Sequence, residues 1–309
     1  MAVRANAPAM LELVAEDAEL EELGAGFVFT EGPIWNPDGF LLFSDMPGDT
    51  RRRWDERGGV AEVASPSNKG NGMTLDAHGR LLVCEHVTSS LVRMDPDGSG
   101  ANREVLASHY EGKELNSPND VVVKRDGSIY FTDPTYGRMP GFGVEREQEL
   151  SIQGVYRIAP DGGDPHLLID DFQQPNGLCF SPDEAKLYIN DTGRAHIREF
   201  QVAGDGTIDR GRALAEGLGS GDLDVGDLVD GMKCDERGNI WVTGPGVEST
   251  YGVLVISPQG EHLGTIDVPE GVGNIGWGGP DWNWLFVCAC TRLWRIICRV
   301  SGNRVSYMR

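Results

Sequence analysis

The apolar positions of this chain fall in short runs, and the runs recur in a fixed order along most of its length. Each recurring segment has an oxygen-bearing side chain, a short apolar stretch, a turn signal seven residues on, and a second apolar run. The segments begin 40, 48, 57, 54 and 44 residues apart, at Glu31, Asn71, Asn119, Asn176, Asp230 and Asn274. The chain therefore contains a sixfold internal repeat.

The turn position of each segment predicts a β-hairpin. Glycine directly follows that position in four of the six segments, and the positions are Asp38, His78, Asp126, Asp183, Arg237 and Asp281. A polar residue followed by glycine is typical of the turn between two antiparallel strands. The run after each turn is rich in Leu, Ile, Val and Phe, which are typical of buried strands. A third strand recurs in every segment, and a shorter fourth strand usually follows it.

Four antiparallel strands repeated six times predict an all-β fold, a six-bladed β-propeller with four antiparallel strands per blade. Residues 1–309 then form a single domain, in which residues 1–25 are an N-terminal extension. Residues 18–29 are a candidate extra strand that closes the last blade. A β-sandwich of similar length would not need a turn at the same offset six times.

Composition limits the partners and the setting of the protein. With 27 basic and 48 acidic residues, the net charge of −21 argues against binding nucleic acid or an anionic membrane. No apolar stretch is long enough for a membrane helix, and residues 1–22 lack the apolar core of a secretory signal, so we expect a cytoplasmic protein. The six cysteines have no C-x-x-C spacing and are expected to be reduced core residues.

The first residue of each segment points to a metal site. In a propeller the innermost strands line a central channel, so these six residues, which we call the ring residues, would face one another around the axis. All six carry side-chain oxygen, and two of them, Glu31 and Asp230, are acids. Asn and Asp at strand entries often only cap turns. Six of them on one axis instead favour a divalent cation that prefers hard oxygen ligands.

The end of the second strand returns to the same face of the ring. Fourteen residues after the segment start, with a one-residue shift in the fourth segment, lie Asp45, Glu85, Asp133, Asp191 and Gly244, and His86 follows Glu85. Residues 134–153, which we call the lid, leave this face as a long connection and should overhang the site. Tyr136 and Met139 of the lid are candidate walls of a pocket.

Five motifs carry a resemblance to a known family. EGPIW at Glu31, NSPNDVVV around Asn119, FTDPTYG from Phe131, QPNGL around Asn176 and DGMKCDERGNIWV at Asp230 are similar to motifs of the gluconolactonase family, which includes regucalcin and the luciferin-regenerating enzyme. The resemblance extends from about Phe29 to Arg295 and is strongest to the bacterial sugar-lactonase branch. RRRWDERGG and VCACTRLWRI depart from the family pattern, which leaves the fit of the substrate open.

The resemblance implies one divalent cation in the channel and hydrolysis of a sugar lactone to its aldonic acid. The positions that match the family motifs are Glu31, Asn119, Asn176 and Asp230 as metal ligands. Calcium is the expected ion, with magnesium, manganese, iron or zinc as alternatives. Asp230 is the first candidate for the general base and Asp133 the second, with His86 as a further candidate. The predicted substrate contacts are Asn71, His86, Asn119 and Tyr136.

Two other functions remain open from the sequence. The same cation could polarise a phosphoryl oxygen in a phosphotriester hydrolase, where Asp230 would attack directly. The protein could also be a non-enzymatic calcium-binding propeller. The sequence leaves open the particular lactone, the ion and the oligomeric state.

Overall fold

The computed structural model describes residues 2–219, 228–245 and 251–307. Their strands form six antiparallel sheets around a common axis, which confirms the predicted six-bladed propeller. We number the blades 1 to 6 in the chain order of their inner strands. A small two-stranded ladder, His109–Tyr110 with Lys113–Glu114, lies outside the blades and has no counterpart in the repeat.

Each blade runs from an inner strand at the channel to an outer strand at the surface. The inner strands are Thr30–Asn36, Gly70–Leu75, Val121–Val123, Pro175–Phe180, Met232–Cys234 and Val272–Gly278. The second strands are Phe40–Asp45, Leu81–Glu85, Ile129–Asp133, Lys186–Asp191, Ile240–Pro245 and Trp284–Ala289. The third strands are Thr50–Asp55, Ser90–Met94, Gln153–Ala159, His196–Gln201, Tyr251–Ile256 and Arg292–Ile297. The outer strands of blades 1 to 5 are Gly59–Ala64, Glu104–Ala107, Gly162–Phe172, Arg212–Ala215 and His262–Val268.

The first part of the chain supplies strands to the last two blades. Glu21–Ala25 pairs antiparallel with the third strand of blade 6 and is its outer strand. Arg295 reinforces this pairing, because its guanidinium contacts Glu21 Oε2 at 2.6 Å. Val3–Ala5 adds a fifth strand to blade 5, which the repeat did not indicate. Between them the helix Pro8–Leu13 buries Met10 and Leu13.

The hydrophobic core lies between neighbouring blades. Trp35 of blade 1 stacks on Phe286 of blade 6 with ring centroids 5.6 Å apart, and Trp241 of blade 5 meets Trp277 of blade 6 edge-on at 5.1 Å. Sheets that are covered on both faces need apolar side chains on both faces, which explains uninterrupted runs such as Phe40–Phe43. All six cysteines are free thiols and five are buried, as the sequence predicted.

Two 3-10 turns, Tyr136–Arg138 and Thr192–Arg194, follow the second strands of blades 3 and 4. Both lie on the face where these strands end, beside the ring residues of their own blades. Within the described residues, no helix has the length and apolar character needed to cross a bilayer.

Candidate functional site

The ring residues occupy interruptions in the β-ladders. In blade 1 the register between the inner and second strands shifts between Glu31 and Ile34, and equivalent shifts occur beside Asn71, Asn176 and Asn274. In blades 3 and 5 the ring residue comes before its inner strand begins. Such irregularities turn a side chain out of the normal alternation of a strand. The ring side chains are therefore free to face the channel.

Glycines next to the ring residues allow the inner strands to approach each other. Gly32 has a φ of +54°, and a Cβ there would lie 2.0 Å from the carbonyl oxygen of Asn71 in the next blade. A Cβ on Gly231 would lie 2.0 Å from Asn274 Oδ1. The E-G and D-G pairs of the motifs thus have a steric cause, since any larger residue would push the ring open.

A second layer of polar side chains holds the backbone of the ring. Ser44 Oγ donates to the carbonyl of Asn71 at 3.1 Å, and Thr132 Oγ1 donates to the carbonyl of Asn176 at 2.8 Å. Asn190 Nδ2 donates to the carbonyl of Asp230 at 2.5 Å. The sequence analysis missed these residues. Their signal is a polar residue directly before the offset-fourteen position, inside an otherwise apolar strand.

Five of the ring residues and His86 line a cavity. The cavity encloses about 660 Å³, including its open mouth, and its polar lining consists of Glu31, Asn71, His86, Asn119, Asn176 and Asp230. Asp230 is partly exposed, whereas the other ring residues are buried. The structure thus brings together all four predicted metal ligands and the predicted contacts Asn71 and His86.

Asn274, the sixth ring residue, supports the site from beneath. Its Nδ2 donates to Glu31 Oε2 at 2.9 Å, and its Oδ1 accepts from Lys233 Nζ at 3.4 Å. Lys233 also lies 3.5 Å from the buried carboxylate of Asp120. The sequence analysis missed this lysine, because its position in the inner strand does not reveal that its amine lies under the ring.

The two acids of the ring destabilise each other's charge. Burial raises the pKa of Glu31 to about 7, although the hydrogen bond from Asn274 opposes the shift. Burial also raises the pKa of Asp230 well above its usual range, and the nearby charge of Glu31 adds to this rise. A carboxyl pair of this kind gains from a bound cation, which would offset both the burial and the repulsion.

His86 is neutral and joins the ring to the lid. Its Nδ1 lies 3.0 Å from the carbonyl of Phe142 and must carry the proton, so Nε2 accepts from Asn71 Nδ2 at 3.1 Å. Burial lowers the pKa of His86 to about 4. Because both ring nitrogens are engaged, His86 is poorly placed to act as a base. It instead orients Asn71, whose Oδ1 has no hydrogen-bond partner within the described residues.

The lid covers the cavity with apolar side chains. Tyr136 and Met139 line the cavity as predicted for pocket walls, and Phe142 joins them by packing edge-on against Phe29 at 5.9 Å. Lys69 Nζ donates to the lid backbone at Gly141, and Arg138 Nη2 binds Glu114 at 2.9 Å. The lid is therefore tied to the blades. The remaining apolar lining is Met46, Leu228 and Val272.

The carboxylates at offset fourteen hold loops and do not line the cavity. Asp133 accepts from the backbone N–H groups of Asn116 and Ser117 at 2.8 and 2.7 Å, which engages both of its oxygens. Asp191 and Asp45 bind the backbone before their own inner strands in the same way. Burial raises the pKa of Asp133 to about 7, but the structure places it with the loop and outside the cavity lining. The geometry gives no support to Asp133 as the base.

The ring residues fit a hard divalent cation. Within the described residues, no group of three or more His, Cys, Asp and Glu side chains could hold a metal, so any ion here needs amide oxygens beside the two acids. The ring supplies this combination, and the Asn71 oxygen has no donor. Asn176 donates its Nδ2 to Thr192 Oγ1 at 3.1 Å, which leaves Oδ1 of Asn176 available. The candidate metal ligands are carboxylate and amide oxygens, which calcium and magnesium prefer.

Comparison with known proteins identifies the family of this propeller. The family model described as SMP-30/Gluconolactonase/LRE-like region matches residues 29–291, which include the ring and the lid. The chain belongs to this family. The membership confirms the resemblance seen in the five sequence motifs.

Several family members are similar over most of the chain. A gluconolactonase of Zymomonas mobilis is 33% identical over 265 residues, which cover 80% of this chain and 72% of the relative. The structure of a gluconolactonase from Xanthomonas campestris has a TM-score of 0.85 at 34% identity and covers 96% of this chain and 95% of its own. Regucalcin from Agrobacterium tumefaciens, at 19% identity, has a TM-score of 0.75 over 94% of this chain and 98% of its own, which shows a common fold.

Proposed function

We propose that this protein is a metal-dependent lactonase that opens a lactone ring to the hydroxy acid. The observation that carries the proposal is the partly exposed Asp230, which faces the cavity within a buried ring of oxygen side chains. Support comes from the relatives in Zymomonas mobilis and Xanthomonas campestris, which are gluconolactonases. The substrate is a small molecule, since the pocket and its open mouth together enclose about 660 Å³.

Glu31, Asn119, Asn176 and Asp230 would hold the divalent cation, with calcium as the expected ion. When bound, the cation supplies a Lewis acid that polarises the lactone carbonyl and favours the developing oxyanion. The Asn274 amide fixes Glu31 through its hydrogen bond to Oε2, and Thr192 fixes Asn176. The chain thus pre-orders two of the four ligands before substrate enters.

Asp230 acts as the general base. Its carboxylate faces the cavity and takes a proton from the water that attacks the lactone carbonyl carbon. The ring C–O bond then breaks, and the leaving oxygen takes that proton back, which balances the reaction as one water added to one ester bond. Asn71 Oδ1 can accept a hydrogen bond at the site of the substrate, whereas the Asn119 amide can accept or donate one. The lid limits the access of bulk water.

Replacement of Asp230 by Asn tests this assignment. We expect Asp230→Asn to lower kcat/KM for lactones by about 10³-fold or more, because the base is lost and ion binding is weakened. The measurement is a pH-stat assay on chelated protein with each divalent ion restored in turn. Asp38→Asn, in an exposed hairpin turn, is the matched control and should keep wild-type activity.

Three results would contradict the proposal. Full activity of Asp230→Asn would show that Asp230 is not the general base. Equal activity of chelated and ion-loaded protein would show that the reaction does not depend on a metal. Ion binding without turnover of any lactone would instead favour a non-enzymatic calcium-binding propeller. A fluorophosphate included in the same assay tests the phosphotriester hydrolase alternative. That alternative requires the fluorophosphate to be turned over faster than any lactone.

A further inference from the structure

The lining of the cavity consists of two chemically different groups of side chains. The polar group is the five ring residues, His86 and the hydroxyl of Tyr136. The second group, which we call the apolar wall, comes from the lid and from segments beside the ring. It consists of Phe29, Met46, Met139, Phe142, Leu228 and Val272.

Most polar atoms in the polar group already have partners. Glu31 Oε2 accepts from Gly32 N at 2.8 Å and from Asn274, and both nitrogens of His86 are engaged. Among the lining residues, Asn71 Oδ1 and the Tyr136 hydroxyl have no hydrogen-bond partner within the described part of the chain. With the ring carboxylates and amides, they can serve an ion, a lactone carbonyl and one water. A sugar lactone carries several further hydroxyl groups, and each would lose its hydrogen bonds to water against an apolar wall.

The described lining of the cavity also lacks a cationic side chain for an anionic substituent. No lysine or arginine occurs among the described residues that line it. The segments 220–227 and 246–250 contain neither residue in their sequence. Lys69, which lies under the lid, is bound to the backbone carbonyls of Pro47 and Gly141. The proposed divalent cation would offset the two acids, but the anionic substituent of a phosphorylated or carboxylated lactone would find no cationic side chain among the described lining residues.

We infer that the preferred substrate is a neutral lactone with an apolar substituent, in place of a polyhydroxylated sugar lactone. The lactone carbonyl faces the ring residues, and the substituent packs against the apolar wall. This inference rests on the proposed lactonase function and specifies its substrate class. The reaction is the same as in the proposed function: water adds to the acyl carbon, the ring C–O bond breaks and a hydroxy acid is released.

A panel of three δ-lactones tests the inference with the ion-loaded full chain. The panel is an alkyl-substituted δ-lactone such as δ-decalactone, unsubstituted δ-valerolactone, and glucono-1,5-lactone, each corrected for spontaneous hydrolysis. We expect kcat/KM to rise roughly fourfold for each methylene that the wall buries. We also expect kcat/KM for glucono-1,5-lactone to be at least about tenfold lower than kcat/KM for the alkyl lactone.

Two wall variants show whether the apolar side chains cause the preference. Met139→Gln and Leu228→Asn place an amide on the wall at partly exposed positions. We expect each to lower kcat/KM for the alkyl lactone about tenfold and to change that for δ-valerolactone less than about threefold. Ile297→Asn, on an exposed apolar residue of blade 6, is the control and should change neither value.

The outcomes separate this inference from the function on which it rests. If glucono-1,5-lactone is the better substrate, or if the wall variants affect both simple lactones equally, the substrate class is wrong while lactonase activity stands. If no lactone is turned over above the spontaneous rate, the lactonase proposal fails and the inference fails with it. Circular dichroism of both variants confirms that they are folded.

Discussion

At the scale of single residues, the fold places the two acids of the ring, Glu31 and Asp230, at the same cavity. Asn274 holds Glu31 at 2.9 Å, and Lys233 contacts Asn274 from below. The lysine thus provides a fixed positive charge near the pair without lining the cavity. The acids keep raised pKa values in spite of it, so their pH response is a direct test of the ring geometry.

The ion-free protein should lose stability as the pH rises. The pKa of Glu31 is 4.5 in its ordinary state and about 7 in the fold, so between these values the folded state holds a proton that the unfolded state has released. Stability then falls with rising pH, and a shift of this size contributes about 3 kcal/mol. Glu31→Gln removes one of the buried acids and should reduce the dependence, while Asp133 and Asp230, whose pKa values are also raised, keep their own contributions. Urea denaturation of chelated protein at about pH 5 and pH 8 measures it.

The control for this prediction is Glu19→Gln, an exposed acid for which wild-type pH dependence is expected. Equal slopes for wild type and Glu31→Gln would contradict the raised pKa of Glu31.

At the scale of elements, the outer strand Glu21–Ala25 closes the ring of blades. It pairs with Arg292–Ile297, the third strand of blade 6, so residues far apart in the chain complete one sheet. Without it, the backbone N–H and C=O groups on the edge of Arg292–Ile297 would be unpaired. The fifth strand of blade 5, Val3–Ala5, is instead added to the outer edge of a blade that already has four strands.

Two deletions should therefore differ strongly in effect. Removal of residues 1–26 takes away the closing strand, the helix Pro8–Leu13 and its buried side chains, and is expected to abolish cooperative unfolding. Removal of residues 1–6 takes away only the fifth strand and should lower Tm by about 5 °C. Differential scanning calorimetry measures both. A cooperative transition near the wild-type Tm after the longer deletion would show that closure does not depend on this strand.

At the scale of the whole molecule, the net charge of −21 acts on the product more than on the substrate. A neutral lactone approaches the acidic surface without penalty, whereas the carboxylate product is repelled. In the proposed reaction, the net charge thus favours release of the product.

Salt should strengthen product inhibition. Raising the ionic strength from about 0.01 M to about 0.5 M shortens the screening length from about 30 Å to a few ångströms, so the repulsion of the product weakens. We expect the inhibition constant of the hydroxy acid to fall as salt is added, while KM for a neutral lactone stays nearly constant. Initial rates at several product concentrations measure both. An inhibition constant that is independent of salt would contradict this role of the charge.

The sequence by itself determined the propeller and the ring. Six turns at one offset are a local pattern of hairpins, and the oxygen side chain at each segment start is visible without any coordinates. The bulges and the glycines that allow close approach have only partial signals, such as Gly32 after Glu31, because their cause is the neighbouring blade.

Only the tertiary structure decided which polar residues reach the cavity and what faces them. Asp230 begins a segment and Asp133 ends a second strand, and both were candidate bases, but backbone amides engage Asp133 while Asp230 faces the cavity. The contacts of Asn274 with Glu31 and of His86 with Phe142 join residues 243 and 56 positions apart. The apolar wall has the same origin, since the lid folds back over the ring. Periodicity along the chain encodes neighbours within a blade, whereas closure of the ring brings distant residues together.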